Sequence, residues 1–439
     1  MNKKTTFTIL FYIFCFCLFF LFTLFAREKG WISAETYFFS FRSRMLLLSG
    51  IEQPKNLFLT YPFFPLLLSL ISFLPTLIPP VIGIFTTLLL DRTISQEGSL
   101  RLLVPLLITS PFFLLSIFSP TFLLLGLFIA VAVANIVRYH ETQLIYFFFL
   151  GGITLGIGVL NHTSLFWACL PIIIFQLLFF NFPFPRKISL LLVSLFPPLF
   201  FLASLFFFHW VYSYNLLFFL NSTSLSLSQA IPELFLPLPM SITQWIISLW
   251  YIFPFLVVLG LQGSVRFFWV ISALALAIIL YRHLPVFLTI SFLIMNCTLL
   301  WSPKNKVYLK IGVVLLLFVS GFGWFQLLRG NQAFFSLNSI PLQNKISDYE
   351  HIEDQVDLSS ASILVLDHHS FLSSSWQHLA PSIVPTPDSF EQACNEPNSC
   401  SFIFVDRNRV MDYQDILKNF IPIWEGKELV LYEKKKRGS

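Results

Sequence analysis

The chain reads REKGWISAETYFFSFRSRMLLLSGIEQPKNLFLTYPFFPL from residue 27 to residue 66, between two long hydrophobic stretches. This segment holds three of the seven carboxylates that precede residue 341, namely Glu28, Glu35 and Glu52. It also holds five basic residues, although the chain as a whole is poor in charge. The segment is therefore the first place to look for chemistry, and the stretches around it determine the fold.

The composition is that of an integral membrane protein. Of 439 residues, 56% are hydrophobic and only 11% are charged, and the mean hydropathy is +0.78. Soluble domains carry about 25% charged residues, so the composition excludes a water-soluble fold and predicts a polytopic membrane protein. The net charge of +5 is small for so long a chain, and it predicts no nucleic-acid partner.

The hydrophobic stretches predict an all-α polytopic bundle of about eleven transmembrane helices. Their predicted bounds are 8–26, 76–90, 102–118, 121–137, 144–160, 165–182, 188–212, 242–262, 267–281, 285–301 and 308–328. The first stretch follows Lys3 and Lys4, as in a signal peptide, but it can cross a bilayer and lacks a small-x-small cleavage site. We therefore expect it to be retained. Residues 61–75 are apolar, short and bounded by proline, so they form either a twelfth span or a juxtamembrane helix.

Basic residues decide between these alternatives, because those in short loops prefer the cytoplasm. With the N-terminus inside and eleven spans, Arg92, Arg138 and Arg186 fall in inner loops, whereas twelve spans would place them outside. The sequence therefore predicts a juxtamembrane segment at 61–75 and a multi-pass protein of the cell inner (plasma) membrane. Its N-terminus is predicted to be cytoplasmic and its C-terminal tail extracytoplasmic, or periplasmic. The basic outer loop 27–60 breaks the rule, which either a strong first span or an anionic ligand would explain.

The chain changes character after residue 341, where fifteen of its 22 acidic residues lie. Apolar runs predict three strands, at 362–367, 401–406 and 428–433. Two helices are predicted between them, near 373–379 and 412–420. Strands that alternate with helices indicate a small α/β domain with a partly parallel sheet. The predicted domains are a transmembrane domain at 1–330, an extracytoplasmic α/β domain at 341–433 and a disordered basic tail at 434–439.

Two of the six cysteines lie close together in this tail. Cys394 and Cys400 flank the polar loop Asn-Glu-Pro-Asn-Ser. A disulfide between them requires an oxidising compartment, which the predicted topology provides. Two free thiols remain the alternative.

Glu35 is the candidate general base. It stands among aromatic residues, including Trp31 and Tyr37, in a stretch with helical character. Arg42 follows seven residues later and shares a helix face with it. An apolar setting raises a carboxyl pKa and a nearby arginine lowers it, and either shift prepares the group to act as a base. The alternative is a solvated Glu35–Arg42 pair on an amphipathic helix.

Histidine and arginine side chains are predicted to gather on the same outer face. The glycine-rich stretch ends in Asn161-His162, the seventh span ends near His209, and Arg282-His283 end the ninth. Arginine and histidine donors suit a phosphate, so we predict a phosphate-binding rim. We predict no cofactor; a divalent metal is possible but unsupported, because no ligand-spaced pair such as HxxxH occurs. Taken singly, each histidine would be an interfacial residue with no partner.

The order of these features resembles the polytopic lipid-linked-sugar glycosyltransferases of the C-type (GT-C) fold. The likeness is to the bacterial relatives of the dolichyl-phosphate-mannose and aminoarabinose transferases. It lies in WISAETY with RMLLLSG at 31–50, YPFFPLL at 61–67, and GGITLGIGVLNHTS at 151–164. These are similar to the family's first outer loop, aromatic-Pro-Pro-Leu segment and glycine-rich span. A terminal extracytoplasmic α/β domain is also common in the family.

The resemblance implies transfer of a sugar from a polyprenyl-phosphate donor to an extracytoplasmic acceptor, which is a glycan, a lipid or a protein. Glu35 would be the catalytic base. The substrate-binding candidates are Arg42, Arg44, Tyr61, His162, His209, Arg282 and His283. Many members have Asp-Glu where this chain has Ala34-Glu35, and Lys or Arg where it has Asn161-His162. The alternative is a non-catalytic GT-C-like membrane scaffold or transporter whose C-terminal domain binds a partner.

Overall fold

The fold is described from a computed structural model, which is predominantly helical with a small C-terminal sheet. It describes residues 3–29, 31–48, 57–71, 74–94, 103–161, 182–217, 306–329, 347–348, 351–352, 363–365, 383–384 and 401–435. Ten helices of the N-terminal part are α1 Lys3–Glu28, α2 Ala34–Leu48, α3 Phe63–Ser69, α4 Ile78–Ile94, α5 Leu103–Ile108, α6 Pro111–Ser116, α7 Pro120–Thr142, α8 Ile145–Asn161, α9 Phe184–Ser213 and α10 Lys306–Leu328.

Six of these helices coincide with predicted spans. They are α1, α4, α7, α8, α9 and α10. By length and composition, Thr8–Glu28 and Phe184–Ser213 could each cross a membrane, and the other four contain apolar helical stretches of 10–17 residues. Apart from Phe182, the predicted spans 165–182, 242–262, 267–281 and 285–301 lie outside the described residues, so the number of spans stays a prediction.

The single continuous helix predicted at 102–118 is wrong, whereas its crossing of the membrane stays a prediction. The chain forms two helices there, α5 and α6, of six residues each. The break has a local cause, because Ser110 is extended and its hydroxyl oxygen accepts a hydrogen bond from Phe113 N at 3.3 Å. Pro111 then occupies the first position of α6, where a missing N–H is harmless. Trp324 Nε1 of α10 donates a hydrogen bond to Thr109 O at 3.1 Å. This bond attaches α10 to the chain at the point where α5 and α6 separate.

The short segment after the first outer loop contains the helix α3, and its predicted juxtamembrane position stays a prediction. Its helix, α3, has only seven residues and is too short to cross a bilayer. Ser69 at its end shares a hydrogen bond between hydroxyl groups with Ser43 of α2. The helices α2 and α3 are therefore packed together inside the protein.

Glycines let α8 lie directly against α9. A Cβ atom on Gly152 would stand 2.8 Å from the Ser194 carbonyl oxygen. One turn later, a Cβ atom on Gly156 would overlap the Phe201 ring and stand 3.0 Å from Pro197 O. Small residues four apart bring membrane helices into close contact in this way. The glycine-rich stretch thus fixes the position of α8 against α9, and with it the position of Asn161 in the last turn of α8.

The tail forms a five-stranded sheet of order β2-β1-β3-β5-β4. Its strands are β1 Ile363–Val365, β2 Ile383–Val384, β3 Phe402–Asp406, β4 Phe420–Glu425 and β5 Leu429–Lys434. The first three are parallel, whereas β5 runs antiparallel to both β3 and β4. A partly parallel sheet is therefore confirmed, and β1, β3 and β5 lie at the predicted strands.

Two parts of the tail differ from the predictions. The helix predicted at 412–420 is mostly wrong, because a 3-10 helix at Arg407–Tyr413 and a short helix at Gln414–Leu417 precede β4, which begins at Phe420. β4 is an edge strand whose residues are mostly exposed, so it lacks the apolar alternation that marks a half-buried strand. The other strand that the pattern missed, β2, has only two residues.

The turn between β4 and β5 is held by hydrogen bonds to the side chain of Asp348. Its buried carboxylate accepts hydrogen bonds from the backbone N–H groups of Lys427, Glu428 and Leu429 at 3.2, 2.7 and 3.1 Å. Asp348→Ala should cost about 3 kcal/mol, because it removes several charge-assisted bonds. Faster hydrogen exchange at residues 427–429 would report this loss. The matched control is Glu425→Gln at an exposed ion pair with Arg407, where we expect less than about 0.5 kcal/mol.

Candidate functional site

Glu35 lies in the first turn of α2 and is completely buried. Its Oε1 accepts a hydrogen bond of 2.5 Å from the backbone N–H of Thr121. Thr121 is the second residue of α7, where backbone N–H groups lack partners within the helix and the helix dipole favours negative charge. The carboxyl group of the first loop therefore caps a helix that begins 85 residues later in the chain.

Two hydroxyl groups form further hydrogen bonds at this junction, the place where the start of α2 contacts the start of α7. Ser33 Oγ and Thr36 Oγ1 both donate to the carbonyl oxygen of Phe118, the latter at 3.0 Å. Residues 33–36 thus contact both Phe118 and Thr121 on the connection between α6 and α7. This double attachment fixes the position and direction of the Glu35 side chain.

Asn161 joins the site from the end of the glycine-rich helix. It is buried, and its Nδ2 donates to Thr121 O at 2.6 Å. Thr121 is therefore held through its N–H by Glu35 and through its carbonyl by Asn161. No sequence pattern assigned a site role to Thr121 or to Asn161. A polar residue at the end of an apolar, glycine-rich helix was the available signal for Asn161.

Burial controls the protonation of Glu35. It raises the pKa of this carboxyl group from 4.5 to about 8, although hydrogen bonding by Thr121 partly opposes the shift. At neutral pH the group is therefore mostly protonated. Within the described part of the chain, its second oxygen, Oε2, has no hydrogen-bond partner. The site thus contains a buried acid whose proton is released near pH 8.

Arg42 does not form the predicted solvated pair with Glu35. Both side chains are buried, and seven residues of helix separate them by about 10 Å along the axis. The guanidinium carbon lies 5.8 Å from the ring centre of Phe38 and 5.4 Å from that of Phe41. Burial lowers the pKa of Arg42 to about 10, so the group remains charged at neutral pH.

The burial of α2 shows that it is not the amphipathic surface helix that the alternative interpretation of Glu35 and Arg42 required. Phe38, Phe39 and Phe41 are all buried, and they cover more than one face of the helix. Arg44, two residues after Arg42, is only partly buried, and burial lowers its pKa. The helix therefore lies inside the protein, with one arginine enclosed by aromatic rings and the other nearer its edge.

Tyr61 lies on the other side of the end of α8. Its buried hydroxyl group donates to Val159 O at 3.5 Å, two residues before Asn161. Its ring packs with Leu205 of α9. His209, also buried, follows one helical turn after Leu205 and shares its face of the helix. The end of α8 therefore lies between the Glu35 junction and the contact between Tyr61 and α9.

The structure thus brings Glu35 and Tyr61 to the same end of one helix, with His209 nearby on α9 and Arg42 two turns away on α2. Five other residues named from the sequence lie outside the described residues: His162, Arg282, His283, Cys394 and Cys400. Their predicted roles stay predictions. Among the described residues, no group of three or more His, Cys, Asp or Glu side chains could hold a metal ion.

Comparison with known proteins shows the fold. The chain is similar to the crystal structure of ArnT from Cupriavidus metallidurans in the apo state, with a TM-score of 0.56, 11% sequence identity and coverage of 98% of each chain. This similarity confirms the expected GT-C-like fold. At such low identity it shows the fold alone. No protein-family model matches the chain, and a search of curated protein sequences finds no match.

Proposed function

We propose that the protein is an integral-membrane glycosyltransferase of the inner (plasma) membrane. It transfers a sugar from a polyprenyl-phosphate donor to an extracytoplasmic glycan, lipid or protein. One observation carries the proposal: in a chain with the fold of ArnT, the Glu35 carboxyl group lies at the junction of α2, α7 and α8 with one oxygen unpartnered among the described residues. No cofactor takes part in the proposed reaction.

The proposed chemistry is a direct displacement. The acceptor hydroxyl oxygen attacks the anomeric carbon, and its proton passes to Glu35. The bond between that carbon and the phosphate oxygen breaks, and the polyprenyl phosphate leaves with the electron pair. A single attack inverts the anomeric configuration. A base with a pKa near the working pH suits this step, and the acceptor reaches Glu35 only when the buried junction opens.

A membrane assay tests the proposal. Vesicles that contain the purified protein are incubated with radiolabelled undecaprenyl-phosphate sugars and an envelope extract as the acceptor. We expect label to leave the prenyl lipid fraction and to enter a new product. Vesicles without the protein provide the control. If no sugar in a broad panel is transferred, the proposed function is wrong.

Arg42 is proposed to bind the donor phosphate. A buried guanidinium group is a strong phosphate partner because little water competes with the ligand. Arg42→Met should weaken undecaprenyl-phosphate binding by about tenfold or more, as measured by titration in detergent. Arg186→Met is the matched control, since it removes the same charge from an exposed residue on the predicted cytoplasmic side. Equal affinity of the two variants would exclude Arg42 as a phosphate contact.

One observation favours the second candidate, a non-catalytic scaffold with a GT-C-like fold. Glu35 is completely buried, and its Oε1 already accepts the Thr121 N–H, as expected for a purely structural cap. In that case the wild-type protein transfers no sugar, and the C-terminal domain binds a periplasmic protein. Capture of one defined partner by the full-length protein, without transfer, would support the scaffold.

A further inference from the structure

We propose that Thr121 and Asn161 determine the specificity of the protein for its acceptor. They bind a second hydroxyl group of the acceptor, adjacent to the hydroxyl group that Glu35 deprotonates. This inference rests on the proposed function and narrows the acceptor to a molecule with two adjacent hydroxyl groups.

Three buried oxygen atoms at the Glu35 junction lack hydrogen-bond partners within the described part of the chain. They are Oε2 of Glu35, Oγ1 of Thr121 and Oδ1 of Asn161. All three residues are completely buried. Buried polar atoms in folded proteins are nearly always hydrogen-bonded, because an unsatisfied one costs free energy. Three such atoms at one junction therefore indicate a site for a polar ligand.

Thr121 brings these atoms together. Its N–H donates to Glu35 Oε1 at 2.5 Å, and its carbonyl oxygen accepts a hydrogen bond from Asn161 Nδ2 at 2.6 Å. Oε2 and Oδ1 are the second atoms of the same carboxyl and amide groups. Burial raises the pKa of Glu35 and the Thr121 hydroxyl group opposes the shift, which places this hydroxyl group beside the carboxyl group. The three oxygen atoms thus surround one residue and can contact one ligand.

The hydrogen-bonding capacity of these atoms specifies the ligand. The ionised carboxylate of Glu35 and the amide oxygen of Asn161 only accept hydrogen bonds, whereas the Thr121 hydroxyl group can donate or accept. A ligand that satisfies the site must therefore supply at least two donors. A lone hydroxyl group supplies one and leaves Asn161 Oδ1 unsatisfied. Two adjacent hydroxyl groups supply both donors, and the Thr121 O–H can donate to one of their oxygen atoms.

The two hydroxyl groups have different fates in the proposed reaction. The oxygen of the first attacks the anomeric carbon, and its proton passes to Glu35 Oε2. The second donates to Asn161 Oδ1, keeps its proton and is unchanged. This second bond orients the acceptor so that the first hydroxyl group faces the carboxylate. A site built for a hydroxyl group rejects a molecule that lacks it, because the buried partner then stays unsatisfied.

Thr121→Val tests the site with little disturbance of the fold. Valine has the shape of threonine and keeps the backbone groups that bond to Glu35 and Asn161. In vesicles with the envelope extract, the KM for the acceptor should rise about five- to tenfold. The KM for the undecaprenyl-phosphate sugar should stay within about twofold of wild type. Thr154→Val is the matched control, because the Thr154 hydroxyl group donates to Leu150 O within α8 at 2.8 Å, and both KM values should equal those of wild type.

Asn161→Leu removes the acceptor atom for the second hydroxyl group. The KM for the acceptor should rise by about tenfold or more, because the bond to Thr121 O is lost as well. Thermal denaturation of the same preparation separates this effect from unfolding.

Periodate treatment tests for adjacent hydroxyl groups without any variant. Periodate cleaves the carbon–carbon bond between two adjacent hydroxyl groups. Extract treated with periodate and then borohydride should therefore lose its acceptor activity with the wild-type protein, whereas borohydride alone should preserve it. Extraction of the labelled product into chloroform–methanol distinguishes a lipid with a glycerol headgroup from a glycan.

Three results would overturn the acceptor assignment and leave the proposed function standing. Undiminished transfer to periodate-treated extract would show that the acceptor has no adjacent hydroxyl groups. An unchanged KM for the acceptor in Thr121→Val would show that this hydroxyl group contacts no substrate. A rise in the KM for the donor instead would place the donor sugar in the site. If wild type transfers no label to untreated extract from any sugar in the panel, the proposed function is wrong and the acceptor assignment with it.

Discussion

Glu35→Gln should reduce sugar transfer by about 10²- to 10⁴-fold while the protein remains folded. Glutamine has nearly the same shape, and its carbonyl oxygen can still accept the Thr121 N–H that now bonds to Oε1. It cannot accept the proton of an acceptor hydroxyl group. The measurement is single-turnover transfer in vesicles, with the fold monitored by thermal denaturation of the same preparation. Retained transfer by Glu35→Gln would remove Glu35 from the role of base.

The pH dependence of wild-type transfer provides a second measurement on Glu35. With its pKa near 8, only the ionised fraction accepts a proton, so the rate should rise with pH and level off above about pH 8. A structural cap would give no inflection assigned to this residue. If wild type has the inflection and the residual activity of Glu35→Gln does not, the titrating group is identified.

Stability should change with pH in the opposite direction from activity. The folded chain holds the Glu35 proton up to about pH 8, whereas the ordinary value for the unfolded chain is 4.5. Between these values the unfolded state binds fewer protons, so the free energy of unfolding falls as pH rises, by up to about 1.4 kcal/mol per unit. The contribution is fully present below pH 4.5 and lost as pH passes through 8. Glu35→Gln lacks this loss, so its melting temperature should exceed that of wild type at pH 8 and match it near pH 4.5.

The helices that could be predicted from the sequence were those that form uninterrupted apolar runs. The apolar runs at α1 and α9 give the approximate bounds of these helices, because continuous hydrophobicity is favourable both in lipid and in helix packing. The run at 102–118 is equally apolar, yet Ser110-Pro111 breaks it. In lipid such a break requires new partners for the freed backbone groups, and here Trp324, 215 residues after Thr109, supplies one. No local pattern carries that information.

The site shows the same division between local and distant information. Scarcity of carboxylates singled out Glu35, and its aromatic neighbours indicated an apolar setting. Its contact partner Thr121 lies 86 residues away, and Asn161 lies 40 residues beyond that. The burial of α2 had a local signal, since apolar residues occur on more than one face of the helix and such a helix is usually enclosed. The two arginines at 42 and 44 concealed that signal and favoured a surface helix.

Replacement of Gly152 should disrupt the packing that places the end of α8. Gly152→Leu should lower the free energy of unfolding by more than about 3 kcal/mol, because Cβ would stand 2.8 Å from Ser194 O and the backbone of α9 cannot yield as a side chain can. The smaller Gly152→Ala should cost about 1–2 kcal/mol. Thermal denaturation in detergent and the yield of monodisperse protein provide the measurements.

The sign of the Gly152→Ala effect is diagnostic. At a helix position without close neighbours, alanine in place of glycine stabilises by about 1 kcal/mol. Gly321→Ala should show that gain, since nothing lies within 4 Å of its Cβ position. Destabilisation at Gly152 together with stabilisation at Gly321 would establish direct contact between α8 and α9. A gain at both positions would contradict that contact, and with it the packing that holds Asn161 against Thr121.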